Sequence, residues 1–453
     1  MPLDRPTFLR LARTPRTLPG ALLLASLALG GASGCSGPEP LAENVILISI
    51  DTLRPDHLGC YGYEGPTSPN LDELCRESVV FEQAISHAPS TLSSHASMLS
   101  SLLPHQHAAS ISDRRPLPED VTTAPEVLQD LGYRTASFND GAQVDARWGL
   151  DQGFDVYRSS AEHEDRFDPI VTRAIDWLDD PGASEAPFFL LLHTYEVHHP
   201  YTPSPEDLET IGASPYDGWL GNAVEVEELQ QINEQARSLA EEDLDFIVAA
   251  YDAEIRSVDR ALGRLLAGLR DRGLLESTLL VFTSDHGEEF NEHGQVGWHS
   301  HSLYDELLKV PLVVRFPDQK WAGERVRRQV RLIDLAPTVL GSLGLKPPGP
   351  WRGVDLLQIL RGEEVQPLVA VSKRDGGESY SLRTGRWKYY DGRLFDLHED
   401  PGERLEVSAS NWDRVEAFKG QLYRAIRDGR REAVDPVDLD PETRKRLEAL
   451  GYL

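Results

Sequence analysis

The sequence predicts an α/β fold with a mostly parallel central sheet flanked by helices, followed by a smaller C-terminal subdomain that contains an antiparallel sheet. Continuous apolar segments at 44–50 (NVILISI), 187–193 (PFFLLLH) and 278–282 (TLLVF) are typical of buried parallel strands. They alternate with segments of helical periodicity, which favours a sheet covered on both faces. After the breaker cluster at 347–350 (PPGP), short alternating segments predict the antiparallel sheet.

The order of the elements follows from these patterns and from stop signals such as Gly132 and Gly273, which are common just past a helix end. In chain order we expect a strand at 44–50, helices at 71–78, 96–103 and 123–131, a strand at 134–138, a helix at 167–178, a strand at 187–193, a long helix at 234–269 and a strand at 278–282, followed by apolar segments at 311–316 and 332–345. The C-terminal part is expected to hold strands at 368–372, 379–384, 386–390 and 393–397, a helix at 412–427 and a charged tail at 440–453.

The N-terminal segment has the features of a lipoprotein-type signal peptide. Four arginines precede an apolar run at 18–31, which is too short to span a bilayer. The run ends in Ala-Ser-Gly-Cys at 32–35, which resembles a bacterial lipobox, so Cys35 is the expected lipidation site. This predicts an exported protein of the bacterial cell envelope (periplasm), anchored to the membrane by a lipid on Cys35. The alternative is plain cleavage near the same place, which would give a soluble exported protein.

Four regions follow from these boundaries. We expect a signal peptide at 1–34, a tether at 35–43, a catalytic domain at 44–345 and the C-terminal subdomain at 346–453. No internal repeat or low-complexity tract is visible in the sequence.

The charge of the chain limits its partners. Without residues 1–34, which carry four arginines and one aspartate, the formal charge of −29 becomes −32. Such an acidic chain is not expected to bind nucleic acid. It also repels anionic substrates at long range, so a site for them needs local positive potential, most simply from a bound cation.

Cys60 and Cys75 are expected either to pair as a disulfide or to be two separately buried thiols.

Two predicted strands lead into residue types that bind metals. Asp51 follows the strand at 44–50 directly, and Asp285 and His286 come shortly after the strand at 278–282. In open α/β sheets, functional residues gather at the carboxyl ends of the strands. We therefore expect these three side chains, more than two hundred residues apart in sequence, to form one metal site.

A hydroxyl-rich segment, STLSSH at 90–95, precedes the helical stretch at 96–103. A hydroxyl at a helix start is usually an N-cap. The same position is also where backbone N–H groups and the helix dipole hold an oxyanion. A nucleophile in this segment would therefore attack a group that is already bound.

Histidines concentrate in two further segments. Oxygen and imidazole ligands together suit Zn²⁺, Mn²⁺ or a mixed Ca²⁺/Mg²⁺ preference. The first segment, HTYEVHHPY, holds His193, Glu196, His198 and His199, and the second, SDHGEEFNEHGQVGWHSHSLYDE, holds Asp285, His286, His293, His299 and His301. For the first segment, the alternative to a functional site is a solvated loop.

Taken together, these motifs resemble the sulfatases of the alkaline phosphatase superfamily. The resemblance rests on DTLRPDHLGCYGY, TLSSHASMLSSLLPHQHA, FLLLHTYEVHHPY, YDAEIRSVDRALGRLL, TSDHGEEFNEHG, HSLYDELLKVPLVVRFP, LIDLAPTVLGSLGL, LFDLHEDPGER and LEALGYL, in that order. It implies an alkaline phosphatase-like fold with one divalent cation (Ca, Mg, Mn or Zn). The implied ligands are Asp51, Asp285, His286 and the oxygen of the nucleophile, and His198 and His299 match positions that contact the ester oxygen or the leaving group.

The chain departs from the family pattern at the nucleophile. Where family members place the cysteine that becomes formylglycine, at the head of C-x-P-S-R, this chain has Thr91, and the arginine of that motif is His95. Thr52 stands in place of the second aspartate of the usual pair. No formylglycine is expected, because threonine cannot be converted to it. The expected catalytic residues are therefore Thr91, His95, His198 and His299, with Thr91 also a metal ligand.

Three functions are compatible with this pattern. The first is a metal-dependent hydrolase of sulfate or phosphate esters that uses Thr91 as nucleophile. The second is a phosphodiesterase or phosphonate monoester hydrolase, since threonine phosphodiesterases of the same superfamily use a hydroxyl nucleophile in two steps. The hydroxyl first attacks phosphorus, and water then cleaves the covalent ester. The third is a non-catalytic, metal-dependent binder of anionic glycans. The expected partner is an anionic ester, namely a sulfated or phosphorylated glycan, lipid or small molecule.

Threonine phosphodiesterases of the superfamily generally hold two metals. By that resemblance a second ion would need further ligands. His198 with Glu196, and His299 or His301, are the candidates.

Overall fold

The centre of the fold is strand β1 (Asn44–Ile50), whose seven residues are all buried. In this computed structural model, which describes residues 39–160, 166–180, 186–431 and 434–452, β1 pairs in parallel with β5 (Phe188–Thr194) on one side and with β6 (Thr278–Thr283) on the other. Each of these strands is mostly apolar, with its polar residues at or next to its ends. The predicted signal peptide and Cys35 lie outside the described residues.

The remaining strands extend this sheet or form two smaller ones. In chain order they are β2 (Val79–Ile85), β3 (Arg134–Asn139), β4 (Val156–Ser159), β7 (Glu289–Phe290), β8 (Val296–Trp298), β9 (Lys309–Arg315), β10 (Arg325–Val326), β11 (Val330–Arg331), β12 (Ala370–Lys373), β13 (Tyr380–Arg383), β14 (Trp387–Tyr390) and β15 (Arg393–Asp396).

Thirteen α-helices occur among the described residues. They are α1 (Pro69–Arg76), α2 (Thr91–Ser100), α3 (Pro104–His107), α4 (Ala124–Asp130), α5 (Phe167–Leu178), α6 (Pro205–Ile211), α7 (Val226–Asn233), α8 (Glu241–Asp271), α9 (Asp305–Leu308), α10 (Leu335–Ser342), α11 (Leu357–Leu360), α12 (Trp412–Arg427) and α13 (Pro441–Ala449).

The large sheet is mixed but mostly parallel, as the sequence predicts. Its order is β10-β2-β9-β6-β1-β5-β3-β4, with β11 also paired to β2, and β9 is the strand that runs antiparallel to both of its neighbours. Successive residues of β1 face opposite cores: Val45 and Leu47 belong to one cluster, Ile46 and Ile48 to the other. Because side chains alternate along a strand, helices must cover both faces of the sheet.

The C-terminal part contains the predicted antiparallel sheet. Its four strands follow one another in the order β12-β13-β14-β15. Helix α12 has exactly the predicted bounds and packs Val415 and Leu422 against this sheet. A boundary between two subdomains near residue 346 stays a prediction.

Several expectations about elements were wrong in detail. The helix expected at 96–103 begins at Thr91, so the hydroxyl-rich segment is its first turn. The helix expected at 234–269 begins at Glu241, after the separate helix α7. Strands β2 and β4 had not been predicted, and the charged tail contains helix α13. These errors concern segments whose pattern is interrupted by polar residues, where periodicity is a weak signal.

The two remaining cysteines form a disulfide between Cys60 and Cys75, which resolves the alternatives left by the sequence. No helix among the described residues is long and apolar enough to cross a membrane.

Candidate active site

The site forms where three neighbouring strands end. Asp51 follows β1, Asp285 and His286 follow β6, and His193 lies at the end of β5. The registers align these ends, because Ile50 is paired with Thr194 and Ser49 with Thr283 in the parallel ladders. Strands that lie side by side in parallel bring their carboxyl ends to one edge. This explains how residues so distant in sequence meet.

The candidate nucleophile is supplied by helix α2. Thr91 is its first residue and is completely buried, and its hydroxyl donates a hydrogen bond to Oδ2 of Asp51 at 3.1 Å. The N-terminus of a helix carries positive partial charge and free N–H groups. Thr91 therefore lies beside both a carboxylate and the end of a helix that favours an anion.

Three buried atoms beside Thr91 have no hydrogen-bond partner within the described part of the chain: Oδ1 of Asp51, Oδ2 of Asp285 and Nε2 of His286. The histidine nitrogen is 3.6 Å from Oδ2 of Asp285 and 3.9 Å from Oδ1 of Asp51. Ligand atoms of the three residues all lie within 4.8 Å of one another. Buried polar atoms are rarely left without partners, so this set fits a divalent cation. We call these three residues the metal cradle.

The charges of the metal cradle also fit a divalent cation. Burial raises the pKa of Asp51 to about 6, against the opposing effect of His286. Burial and the charge of Asp51 also raise the pKa of Asp285. Two carboxylates in one buried space disfavour each other's ionised forms, and a positive ion between them removes this cost.

Two further histidines surround the cradle. His95, one turn after Thr91 on α2, has Nδ1 at 2.9 Å from the carbonyl oxygen of Thr91 and 3.6 Å from Oδ2 of Asp285. His193 has Nε2 at 3.3 Å from Oδ2 of Asp51. Burial lowers the pKa of each histidine to about 4, so both rings are neutral at neutral pH. With Asp285 they form a second set of ligand atoms within 4.8 Å of one another.

A third group contains the histidines that follow β5 and β8. His198, His199 and His299 are buried, and ligand atoms of all three lie within 4.8 Å of one another. Between two of them lies the phenol of Tyr452, whose oxygen is 2.8 Å from Nε2 of His198 and 3.0 Å from Nε2 of His299. The ring of His299 is also 4.6 Å from that of His286, measured between centroids. This histidine group is therefore adjacent to the metal cradle.

Glu288 fixes the orientation of one of these rings. Its Oε1 lies 3.0 Å from Nδ1 of His299, and its pKa is held well below the usual range, because the hydrogen bond with His299 and the proximity of His199 outweigh its burial. An ionised carboxylate only accepts, so Nδ1 of His299 is the donor and Nε2 is left as an acceptor when the ring is neutral. Nδ1 of His198 faces the carbonyl oxygen of His199 and must likewise donate.

Three candidate ligands named by the sequence do not join this site. Glu196 accepts a hydrogen bond from the backbone N–H of Phe167 at 2.7 Å and thereby supports the start of α5. Nδ1 of His293 pairs with Glu306 at 2.6 Å, and Nε2 of His301 with Glu289 at 2.7 Å. The group of ligand atoms within 4.8 Å of one another that contains His198 and His299 has His199 as its third member, and neither Glu196 nor His301 belongs to it among the described residues. A second ion held by Glu196 or His301 stays a prediction.

The backbone next to the metal cradle is strained. Thr52, directly after Asp51, has φ of 53°, in the left-handed region that β-branched residues rarely adopt. Its hydroxyl donates to the carbonyl oxygen of Val197 at 3.0 Å. The turn thus directs Asp51 toward Thr91 while its own second residue is bonded elsewhere.

Sequence reasoning did not identify Tyr452 or Glu288 as parts of the site. Glu288 lies within the quoted motif TSDHGEEFNEHG, so its proximity to His286 was an available signal. Tyr452 lies in the quoted motif LEALGYL, but no local pattern indicates that the end of the chain reaches a site built around residues 51, 91 and 285.

A cavity of about 520 Å³ opens beside the histidine group. Its lining includes Arg114, Trp298, His299, Arg444 and Tyr452. The ring of Trp298 is stacked on that of His199 at 4.9 Å between centroids. Two guanidinium groups and an indole give this cavity the chemistry to accept an anionic ligand with an apolar face.

Known proteins are similar to this chain in sequence and in fold. The family profile described as Sulfatase matches residues 43–345, and that described as N-sulphoglucosamine sulphohydrolase, C-terminal, matches residues 292–428. Arylsulfatase K of Canis lupus familiaris is 26% identical over 460 residues, which cover 88% of this chain and 84% of that protein. N-acetylglucosamine-6-O-sulfatase of Bacteroides thetaiotaomicron is 25% identical, with 86% and 87% covered.

A solved structure shares the fold as well. The phosphonate monoester hydrolase of Agrobacterium radiobacter superposes with a TM-score of 0.70 at 22% identity, covering 89% of this chain and 100% of that chain. This agrees with the alkaline phosphatase-like architecture expected from the motifs. Because the Sulfatase profile matches most of the chain, this protein belongs to the sulfatase family.

Proposed function

We propose that this protein is a metal-dependent hydrolase of sulfate or phosphate esters and that Thr91 is its nucleophile. The observation that carries the proposal is the position of Thr91. Its hydroxyl is hydrogen-bonded to Asp51 at the start of a helix, beside three buried ligand atoms that have no hydrogen-bond partner among the residues that the structure describes. A hydroxyl next to a metal site and a helix N-terminus is placed both to attack and to have its target held.

Asp51, Asp285 and His286 would hold the cation, with Thr91 as a further ligand. When bound, the cation would supply positive charge that favours ionisation of the hydroxyl and offsets the charge of the ester. Calcium, magnesium, manganese and zinc all accept oxygen and imidazole ligands, and the ligand types alone favour none of them.

The chain's own residues account for the other steps. Oγ1 of Thr91 forms a bond to sulfur or phosphorus while the bond to the leaving oxygen breaks, and the hydroxyl proton passes to Oδ2 of Asp51. The Nε2 atoms of His198 and His299 converge on one oxygen. One of these rings, protonated at both nitrogens, donates its Nε2 proton to the leaving oxygen, and the water of the second step restores that proton while Oδ2 of Asp51 returns its own to Oγ1 of Thr91. Water then cleaves the covalent ester, returning Thr91 and releasing the inorganic anion.

A phosphodiester or phosphonate monoester is the second candidate substrate. Thr91 has a single hydroxyl, so the covalent ester cannot break down by elimination as a formylglycine sulfate ester does. Water must attack it, which is the route of threonine phosphodiesterases. The phosphonate monoester hydrolase fold shared by this chain is compatible with this substrate.

The relatives favour a sulfated sugar as the natural substrate class. One of them is named for a 6-O-sulfated N-acetylglucosamine. Arg114 and Arg444 in the adjacent cavity suit an anionic glycan, and a phosphorylated glycan, lipid or small molecule shares this chemistry.

A parallel screen tests these proposals. The purified protein, loaded with each of the four cations in turn, would be offered an aryl sulfate, phosphomonoester, phosphodiester and phosphonate monoester, with bound metal measured by elemental analysis. Turnover of any of them that is lost in Thr91→Ala supports the hydrolase. Activity confined to the aryl sulfate would refute the phosphodiesterase. Metal binding without turnover of any ester would favour the non-catalytic glycan binder instead.

For the cellular location we propose the bacterial envelope, with a lipid on Cys35 as the membrane anchor. The support is the order of arginines, apolar run and small residues before Cys35. Expression of the full chain and of Cys35→Ser, followed by separation of membrane and soluble fractions, tests this. Equal membrane association of both proteins would contradict the lipid anchor.

A further inference from the structure

Within the part of the chain that the structure describes, the proposed nucleophile is not exposed to solvent. Thr91, Asp51, Asp285 and His286 are all completely buried. The cavity beside the site reaches His299 and Tyr452, and the four residues just named are absent from its lining in the described structure. An ester entering this cavity therefore meets the ring of Tyr452 before it meets Thr91.

The hydroxyl of Tyr452 occupies a position suited to an oxygen of a substrate. It lies between Nε2 of His198 and Nε2 of His299, at 2.8 Å and 3.0 Å. Burial and the negative charge of Asp51 hold the pKa of this phenol well above its usual range. The phenol is thus neutral and lies close to both the nucleophile and the metal cradle.

The residues next to Tyr452 pack closely against the histidine group. Gly451 has φ of 73°, and a Cβ there would stand 2.8 Å from the ring of Trp298 and 3.1 Å from Nε2 of His199. Only glycine allows so close an approach in this conformation. The carbonyl oxygen of Leu450 accepts a hydrogen bond from Nε2 of His199 at 3.1 Å. These contacts aim Tyr452 into the site rather than across its surface.

The same segment anchors Leu447 and Leu450 in the main hydrophobic cluster but leaves most of the side chains of its helix exposed. Helix α13 buries Thr443 and Leu447, while its other side chains are partly or fully exposed. Arg446 donates to the carbonyl oxygen of Ser160 at 3.0 Å, and Asp440 pairs with Arg147. Short terminal helices with mostly exposed side chains are among the elements that open locally at a lower free-energy cost than the central strands of a sheet.

We propose that residues 440–452 are an intramolecular cap that competes with the substrate, with the hydroxyl of Tyr452 in the place of an ester oxygen. The cap rests on the proposed function only in naming an ester as its competitor. Binding of any tetrahedral anion at Thr91 requires the same displacement. The apparent affinity for such an anion is lowered by the fraction of molecules in which the cap is closed.

The test uses the full chain with manganese and inorganic phosphate as the probe. Calorimetry would compare the wild type with Tyr452→Ala, which empties the site, and Gly451→Val, which keeps the phenol but prevents the close approach. Both variants are expected to bind phosphate at least about tenfold more tightly than the wild type. Tyr423→Ala, which removes a tyrosine that is 63% exposed on α12, is the matched control and is expected to change nothing.

Amide hydrogen exchange gives an independent readout. In the wild type, phosphate is expected to accelerate exchange across residues 441–452, because the cap must open for the anion to enter. The proposed cap would be contradicted if calorimetry gave the wild type and both variants equal affinities for phosphate, or no binding at all. It would also be contradicted if phosphate left the rate of hydrogen exchange in this segment unchanged.

Kinetics separate the cap from a catalytic role of the phenol. If an ester is turned over, Tyr452→Ala is expected to lower KM with kcat unchanged or raised. A fall in kcat with KM unchanged would overturn the cap and make Tyr452 a catalytic residue. Tighter phosphate binding by the variants without turnover of any ester would support the cap and refute the proposed hydrolase, so the two failures are distinguishable.

Discussion

The hydroxyl of Thr91 donates a hydrogen bond to Oδ2 of Asp51 at 3.1 Å, joining the first turn of α2 to the end of the central strand. Neither side chain is accessible to solvent. The pair therefore links the proposed nucleophile to the metal cradle.

Replacing Thr91 tests the nucleophile. Thr91→Ala is expected to lower kcat by at least about 10³-fold on any ester that the wild type hydrolyses, whereas Thr91→Ser retains a hydroxyl and is expected to keep measurable turnover. Steady-state kinetics on metal-loaded protein checks this. Ser93→Ala is a matched control, since its hydroxyl, on the same helix, donates to the carbonyl oxygen of Ala109. Similar kcat values for wild type and Thr91→Ala would exclude Thr91 as the nucleophile.

Metal removal tests the cradle. A cation that binds only the folded state stabilises it by about 2.7 kcal/mol at a free concentration of one hundred times Kd, so a chelator is expected to lower Tm. Asp285→Asn is expected to lose bound metal in elemental analysis and to show little response to the chelator. His398→Gln, at a side chain that is 75% exposed, should behave as the wild type. Full metal content in Asp285→Asn would place the ion elsewhere.

A buried ion cluster joins strand β14 of the C-terminal sheet to the start of helix α9. Nζ of Lys388 on β14 is 2.9 Å from both Oδ1 of Asp305 and Oε2 of Glu403, and it is fully buried. Lys388→Met is expected to cost about 3–5 kcal/mol of unfolding free energy in urea denaturation, because it leaves buried carboxylates without their cation. Asp305 keeps Arg383, so most of the loss falls on Glu403.

Two companion variants check this explanation. Adding Glu403→Gln to Lys388→Met should recover part of the stability, since it removes the unpaired charge. Lys419→Met, at a side chain that is 64% exposed on α12, should cost little. A loss in Lys388→Met that is as small as in Lys419→Met would show that the ion cluster contributes nothing.

The pair of His293 and Glu306 predicts a dependence of stability on pH. Burial alone would lower the pKa of His293, but the hydrogen bond and charge of Glu306 outweigh it, and the pKa is raised above the usual 6.5. A raised pKa means that the folded state holds the proton more tightly. The resulting stabilisation is complete below the unfolded pKa and is lost as pH rises through the folded pKa.

Thermal unfolding of His293→Gln measures this contribution. The difference in Tm between wild type and variant should be largest near about pH 5.5 and smaller near about pH 9. The stacking of His293 on Tyr304, at 3.5 Å between centroids, adds an offset that does not depend on pH. A difference that stays constant over this range would contradict the raised pKa.

The local sequence pattern was sufficient to predict a helix or a strand wherever a segment carries its own helical periodicity or its own apolar run. Helices α5 and α12 have the predicted bounds, and β1 was predicted at its observed position. The hydrophobic effect acts on each such segment whatever its neighbours are, so the sequence alone determined these elements, the α/β class and the family. It also identified Asp51, Asp285 and His286 as residues at strand ends.

Tertiary structure decided what depends on contacts between distant segments. The start of α2 at Thr91, the antiparallel direction of β9 and the hydrogen bond of Glu196 with the N–H of Phe167 each depend on partners far away in sequence. Tyr452 is the clearest case, since its hydroxyl meets His198 and His299 through long-range packing of the C-terminal segment. Such contacts follow from the arrangement of the whole chain, because local propensity carries no information about which distant segment fills a buried space.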